Sequence, residues 1–178
     1  MLFELDKHFS NVTAREMAPQ SLEERQRDIY DSHRHRVFSV SYYMTGSELE
    51  AEQILRDAFV RAFRTVPEPD HAVVDTALVD ELRSQRILEE AEAMPPPDTG
   101  YLPQRHNILR TELEEAIRYL PPNERLIFLL MDVEGYPATQ VAELLQIPSS
   151  DVLRTALRAR LRLRAELATM RESDQEAA

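Results

Sequence analysis

The placement of eleven prolines against only three glycines constrains this chain more than any other feature. Proline lacks an amide hydrogen and clashes with the preceding turn, so it marks where helices stop. Pro67 and Pro69, the run Pro95-Pro96-Pro97, the pair Pro121-Pro122, then Pro137 and Pro148 punctuate the sequence at irregular intervals. The scarce glycine argues from the other side. Tight β-hairpin turns need positive φ, which glycine adopts with least strain. The expected fold is all-α: two helical domains joined by a proline-rich linker, the second ending in a helix-turn-helix.

Side-chain periodicity fills the intervals between the prolines. Ser21-Leu22-Glu23-Glu24 reads as a capping box that opens a helix to about Met44, in which Val37, Val40 and Met44 recur at helical steps. Gly46 suits its end. Ser47-Glu48-Leu49-Glu50 opens a second helix, with Ala51, Ile54, Leu55, Ala58 and Ala62 on one face. A weaker helical stretch spans about 71–93, with Val74, Leu78 and Leu82 four apart. Met94-Pro95-Pro96-Pro97-Asp98-Thr99-Gly100 cannot lie within a helix, which sets a linker over 94–106 between domains at 21–93 and 107–171.

The second half is more regular. Leu109, Leu113, Ala116, Ile117 and Leu120 mark one amphipathic helix. Asn123 is placed to cap a short, very apolar helix from Glu124 to about Glu134, closed by Gly135. Pro137 suits the first turn of the next helix, which carries Val141, Ala142, Leu144 and Leu145. A turn over Gln146-Ile147-Pro148-Ser149-Ser150 then leads into a long helix from about Ser150 to Met170, with Val152, Ala156, Ala159 and Leu163 on its inner side.

Composition narrows the function classes. The chain has 178 residues, 43% of them hydrophobic, which suits a globular protein. No cysteine means no disulfide framework, no thiolate zinc site and no cysteine nucleophile. No apolar run approaches the ~18 residues of a membrane span, and residues 1–20 lack a signal-peptide core, so no membrane insertion and a cytoplasmic location are expected. The net charge of −11 disfavours non-specific nucleic-acid binding by the whole chain. That charge is uneven: residues 149–165 hold five Arg and one Asp.

The unit from Tyr136 to Arg164 has the layout of a helix-turn-helix: a short helix, a tight turn and a longer helix presented outward. Such a helix fits the major groove. Arg154, Arg158 and Arg162 are four apart, and Arg160 and Arg164 flank them. Arginine's planar fork donates paired hydrogen bonds to phosphate or guanine. The same arginines would equally serve to solvate a long surface helix.

Leu120-Pro121-Pro122-Asn123-Glu124-Arg125, then Phe128 to Tyr136, Val141-Ala142-Glu143-Leu144-Leu145, Ile147-Pro148 and Arg158-Ala159-Arg160 resemble the promoter-upstream domain of extracytoplasmic-function (ECF) sigma factors. Tyr30, Arg36-Val37-Phe38, Thr45-Gly46, Ala51-Glu52, Asp57, Phe59 and Arg61-Ala62-Phe63 are similar to that family's polymerase-binding helices. The resemblance covers roughly 25–66 and 107–168. It implies that the first domain binds core RNA polymerase, with Glu52, Asp57 and Arg61 facing it, and helps to open the minus-ten element. It implies that the second domain reads promoter DNA at the minus-thirty-five element. Arg158 and Arg160 match family arginines there, and Ser149, Ser150, Arg154 and Arg162 complete the expected DNA-facing set. An anti-sigma factor is a further implied partner. No cofactor and no metal site are expected.

Two departures stand out. The family's recognition helix usually reads Thr-Val-Lys-Ser-Arg-Leu, where this chain has Asp151-Val152-Leu153-Arg154-Thr155-Ala156. The minus-ten helix of the family normally carries a Trp and several basic residues. Here residues 71–83 hold no aromatic, are acidic until Arg83, and the chain has no Trp. Stacking on unpaired bases needs aromatic rings, so this stretch is poorly equipped to open DNA. The alternative is a sigma-like regulator that binds polymerase or an anti-sigma partner without initiating transcription. An enzyme is disfavoured. His33 and His35, two apart, point in different directions on a helix, and no nucleophile elbow or phosphate loop occurs.

Overall fold

The computed structural model describes residues 20–88 and 108–176, with side chains as far as Met170. All the regular structure among these residues is helical. The expected linker at 94–106 lies outside the described residues.

Helix α1 (Leu22–Thr45) starts at the expected capping box: Ser21 Oγ accepts the Glu24 amide at 3.2 Å, and the Glu24 carboxylate accepts the Ser21 amide at 2.8 Å. It ends where Gly46 turns left-handed (φ 72°), with the Gly46 amide on the Tyr42 carbonyl. Helix α2 (Glu48–Thr65) is capped by Ser47. Helix α3 (His71–Ser84) is capped by the Asp70 side chain and is shorter than periodicity alone implies. Its chain reverses at Arg86, which adopts φ 59°, and the Ile87 amide closes back on the Leu82 carbonyl at 3.0 Å.

Helix α4 (Arg110–Arg118) leads to α5 (Pro122–Phe128), which continues as a π-helical turn over Leu129–Val133. The sequence predicts one α-helix through Glu134. Instead the Glu134 amide reaches five residues back to the Leu129 carbonyl at 2.9 Å, which widens the last turn. Pro121, not Asn123, precedes the first turn, and its carbonyl accepts the Arg125 amide at 2.8 Å. Helix α6 (Ala138–Leu145) and the long α7 (Ser149–Glu176) complete the chain.

The cores of the two halves join into a single hydrophobic cluster. Val37, Val40 and Met44 of α1 meet Ile54, Ala58 and Ala62 of α2 and Val74, Leu78 and Leu82 of α3. Ile117, Leu126, Ile127, Leu129 and Leu130 pack against Val141 of α6 and Val152, Ala156, Ala159 and Leu163 of α7. Each fully buried aliphatic side chain contributes about 1.5–3 kcal/mol. Helix α3 is packed by α1, α2 and α6 and leaves a stripe at Ala72, Thr76 and Arg83 exposed. Polar ties reinforce this docking. Arg125 Nη1 donates to the Met44 carbonyl at 3.0 Å and Arg83 Nη2 to the Leu145 carbonyl at 3.0 Å.

Candidate nucleic-acid interface

The turn of the helix-turn-helix is made without glycine. Gln146 takes the left-handed conformation (φ 59°, ψ 41°) that ends α6, and the Ile147 amide bonds back to the Ala142 carbonyl at 3.1 Å. Ile147 anchors the turn against the core, and the Pro148 carbonyl accepts the Asp151 and Val152 amides to start α7. Neither Ser149 nor Ser150 caps the helix through its side chain. Ser149 opens the helix, half-buried, and Ser150 is exposed beside Asp151.

The arginines of α7 divide by direction. Arg154 is exposed and pairs with Asp151 at 2.6 Å, one turn back. Arg158 is exposed, with Nη2 on Thr155 Oγ1 at 3.3 Å and Nε 3.6 Å from Glu124. Arg160 grips Asp132 of the π-turn, Nη2 to Oδ1 at 2.9 Å. Arg162, expected on the DNA face, is not there. It is only 7% exposed, and its Nε donates to Glu124 at 2.7 Å. Side chains four apart drift about 40° per step on a helix, so the third arginine of the series has rotated to the packed side. Glu124, itself 5% exposed, thus faces two arginines and pins α7 to α5. Between the outward arginines stand two exposed leucines, Leu153 and Leu157.

The residues expected to face polymerase lie on the outer side of α2. Glu52 is exposed and lines an open groove with Tyr30, Leu55, Phe59 and Phe63. Asp57, half-buried, and Arg61, exposed, share an adjoining depression with Glu81. Arg61 Nη2 donates to Glu81 Oε2 at 3.0 Å. Burial alone would raise the Glu81 carboxyl, but hydrogen bonds from Gln85 and Arg61 outweigh it and hold the group below the usual carboxylate range.

Sequence reasoning missed a polar joint between the halves. Asp75 of α3 is 2% exposed and accepts hydrogen bonds from Arg36 of α1 and, at 2.8 Å, from the Tyr136 hydroxyl. Arg36 Nη1 also donates to the Tyr136 hydroxyl at 2.7 Å, and its guanidinium lies 5.9 Å from that ring's centre. His71 Nε2 bonds the same hydroxyl and sits 3.3 Å from Asp75 Oδ2. Burial, then the bond to Asp75, drives the Tyr136 phenol far above its ordinary value, so it stays protonated as a donor. The only local signal is the four-residue spacing of His71 and Asp75.

Residues 29–86 match the family model for sigma-70 region 2, and residues 110–163 match that for sigma-70 region 4. The chain is 25% identical over 156 residues to the ECF RNA polymerase sigma factor SigE of Mycolicibacterium smegmatis, covering 79% of this chain and 61% of SigE. It is 24% identical over 163 residues to the ECF RNA polymerase sigma factor SigW of Bacillus subtilis, covering 79% of this chain and 87% of SigW. The chain belongs to the ECF sigma factors. Its fold is also like that of the sigma factor RpoE of Bartonella quintana, solved in complex with the anti-sigma factor NepR. That match has a TM-score of 0.57 and 17% identity, over 78% of this chain and 91% of the other. In this sigma-factor frame the α6–α7 unit falls in region 4, and α1 to α3 fall mostly in region 2. Among the described residues, no helix is long and apolar enough to cross a membrane.

Proposed function

We propose that this chain directs promoter-specific transcription initiation as an ECF-type sigma factor. Residues 21–93 form the polymerase-binding and minus-ten domain, 94–106 the linker, and 107–171 the DNA-binding domain. Glu52, Asp57 and Arg61 engage core RNA polymerase. Ser149, Ser150, Arg154, Arg158 and Arg160 meet promoter DNA, while Arg162 holds α7 in place through Glu124. The chain acts as a transcription regulator and not as an enzyme, in the cytoplasm where polymerase works, and an anti-sigma factor is its natural antagonist.

The observation that carries this reading is the pairing, in order, of a region 2 match with a region 4 match that ends in a helix-turn-helix with an arginine-bearing outer face. The test is transcription in vitro by core polymerase, with and without the protein, on genomic DNA. Start sites that share an upstream motif and need the protein support it. Binding to core without new transcripts, even on promoters supplied pre-melted, overturns it.

One observation favours a second reading, a sigma-like regulator that does not initiate. Helix α3, which corresponds to the minus-ten helix, has no Phe, Tyr or Trp and is covered in part by α6. The pre-melted template separates the two readings, because a protein that only fails to open DNA initiates on it.

A further inference from the structure

Leu153 and Leu157 are each 55% exposed, one turn apart on the outer side of the recognition helix. A single exposed leucine needs no explanation. Two on adjacent turns of the helix that faces DNA do, and Leu153 stands where the family's recognition helix usually carries Lys. Three of the arginines around them already have partners: Arg154 with Asp151, Arg158 with Thr155 and Glu124, and Arg160 with Asp132. The helix therefore offers the groove fewer uncommitted hydrogen-bond donors than its arginine count suggests, and two aliphatic side chains in their place.

The major groove exposes one apolar group, the C5 methyl of thymine. We propose that Leu153 and Leu157 read thymine methyls in the upstream promoter element. The occupant of this row is DNA and not protein, because the row is bordered by Ser150, Arg154, Arg158 and Arg164, a setting suited to phosphates. Residues four apart are separated by about 6 Å along a helix, close to two base-pair steps of about 3.4 Å. The preferred element thus carries two thymines about two steps apart, on either strand. This inference rests on the DNA-binding reading above and specifies how that surface selects sequence.

The experiment uses the full chain with core polymerase and a pool of duplexes randomised in the upstream element. The expected result is an enriched motif with the two thymines. Replacing each thymine by uracil, which removes only the methyl, then weakens binding about four-fold per site, the equivalent of about 0.8 kcal/mol for one buried carbon. The double variant Leu153→Ala, Leu157→Ala loses the thymine preference and keeps the salt dependence, because no charge is removed. The uracil arm alters only the DNA, so it decides the matter even if that variant folds poorly. Equal binding of the thymine and uracil duplexes overturns the leucine reading and leaves the DNA-binding reading intact. No enriched motif at all overturns the DNA-binding reading, and this inference with it. A double variant that keeps its thymine preference but no longer binds a protein partner makes the row a protein-docking surface and overturns the proposal.

Discussion

Both halves of the molecule seat arginines on buried acids, but α3 supplies the acids in the first half whereas α7 supplies the arginines in the second. In the first half two of the three acids of α3 turn inward and arginines from neighbouring helices come to them: Arg36 to Asp75, and Arg61 to Glu81. In the second half one buried acid, Glu124, serves as the anchor and arginines of α7 come to it. The difference shows what a charge count hides. By sequence the first half is acidic enough to repel DNA along α3, yet two of that helix's acids are structural. The second half is basic by sequence, yet one of its five helix arginines is buried and three of the outward ones are held by carboxylates.

The contrast gives three tests, the largest effect first. Glu124→Ala removes the buried carboxylate that Arg162 and Arg158 face. Breaking a buried pair from one side costs roughly 3–5 kcal/mol. Denaturant unfolding is expected to show a loss of that size, and α7 should become the easiest helix to exchange its amides. Asp75→Asn keeps the shape of the joint but removes the charge that faces Arg36. A loss of about 1.5–3 kcal/mol is expected, the range for a hydrogen bond to a charged group. Fluorescent labels on α2 and α7 should move apart, whereas an unchanged separation would show that apolar packing alone holds the halves. The smallest effect on folding comes from Arg158→Ala with Arg160→Ala. Exposed ion pairs contribute about 0–1 kcal/mol each, so stability should scarcely change. The salt dependence of DNA binding should instead fall by about one unit of slope for each phosphate that no longer meets an arginine. An unaltered slope would assign both arginines wholly to Glu124, Thr155 and Asp132.

Local chemistry makes the helices legible. The Ser21 capping box, the left-handed Gly46 and the inner stripe of α7 are readable because each depends on residues within a turn or two of one another. The π-turn at Leu129–Val133 is not, since an apolar run has the same appearance in either kind of helix. The direction of Arg162 is half readable: its four-residue spacing from Arg158 is plain, but angular drift accumulated over two steps carries it off the shared face. The joint is invisible because Arg36, Asp75 and Tyr136 are separated by tens of residues, and no periodicity links groups that meet only through tertiary packing.

That joint also sets terms for whatever approaches α3. A partner that needs this helix uncovered binds only the fraction of molecules in which the halves have parted, so its apparent dissociation constant is the intrinsic one divided by that fraction. A closed state favoured by about 2 kcal/mol raises that constant roughly thirty-fold. A partner that grips the outer side of α2 meets no such handicap, because Glu52 and Arg61 stay exposed while the halves are together. Binding would then run in a fixed sequence, α2 first and α3 afterwards, with Tyr136 as the side chain that enforces the order.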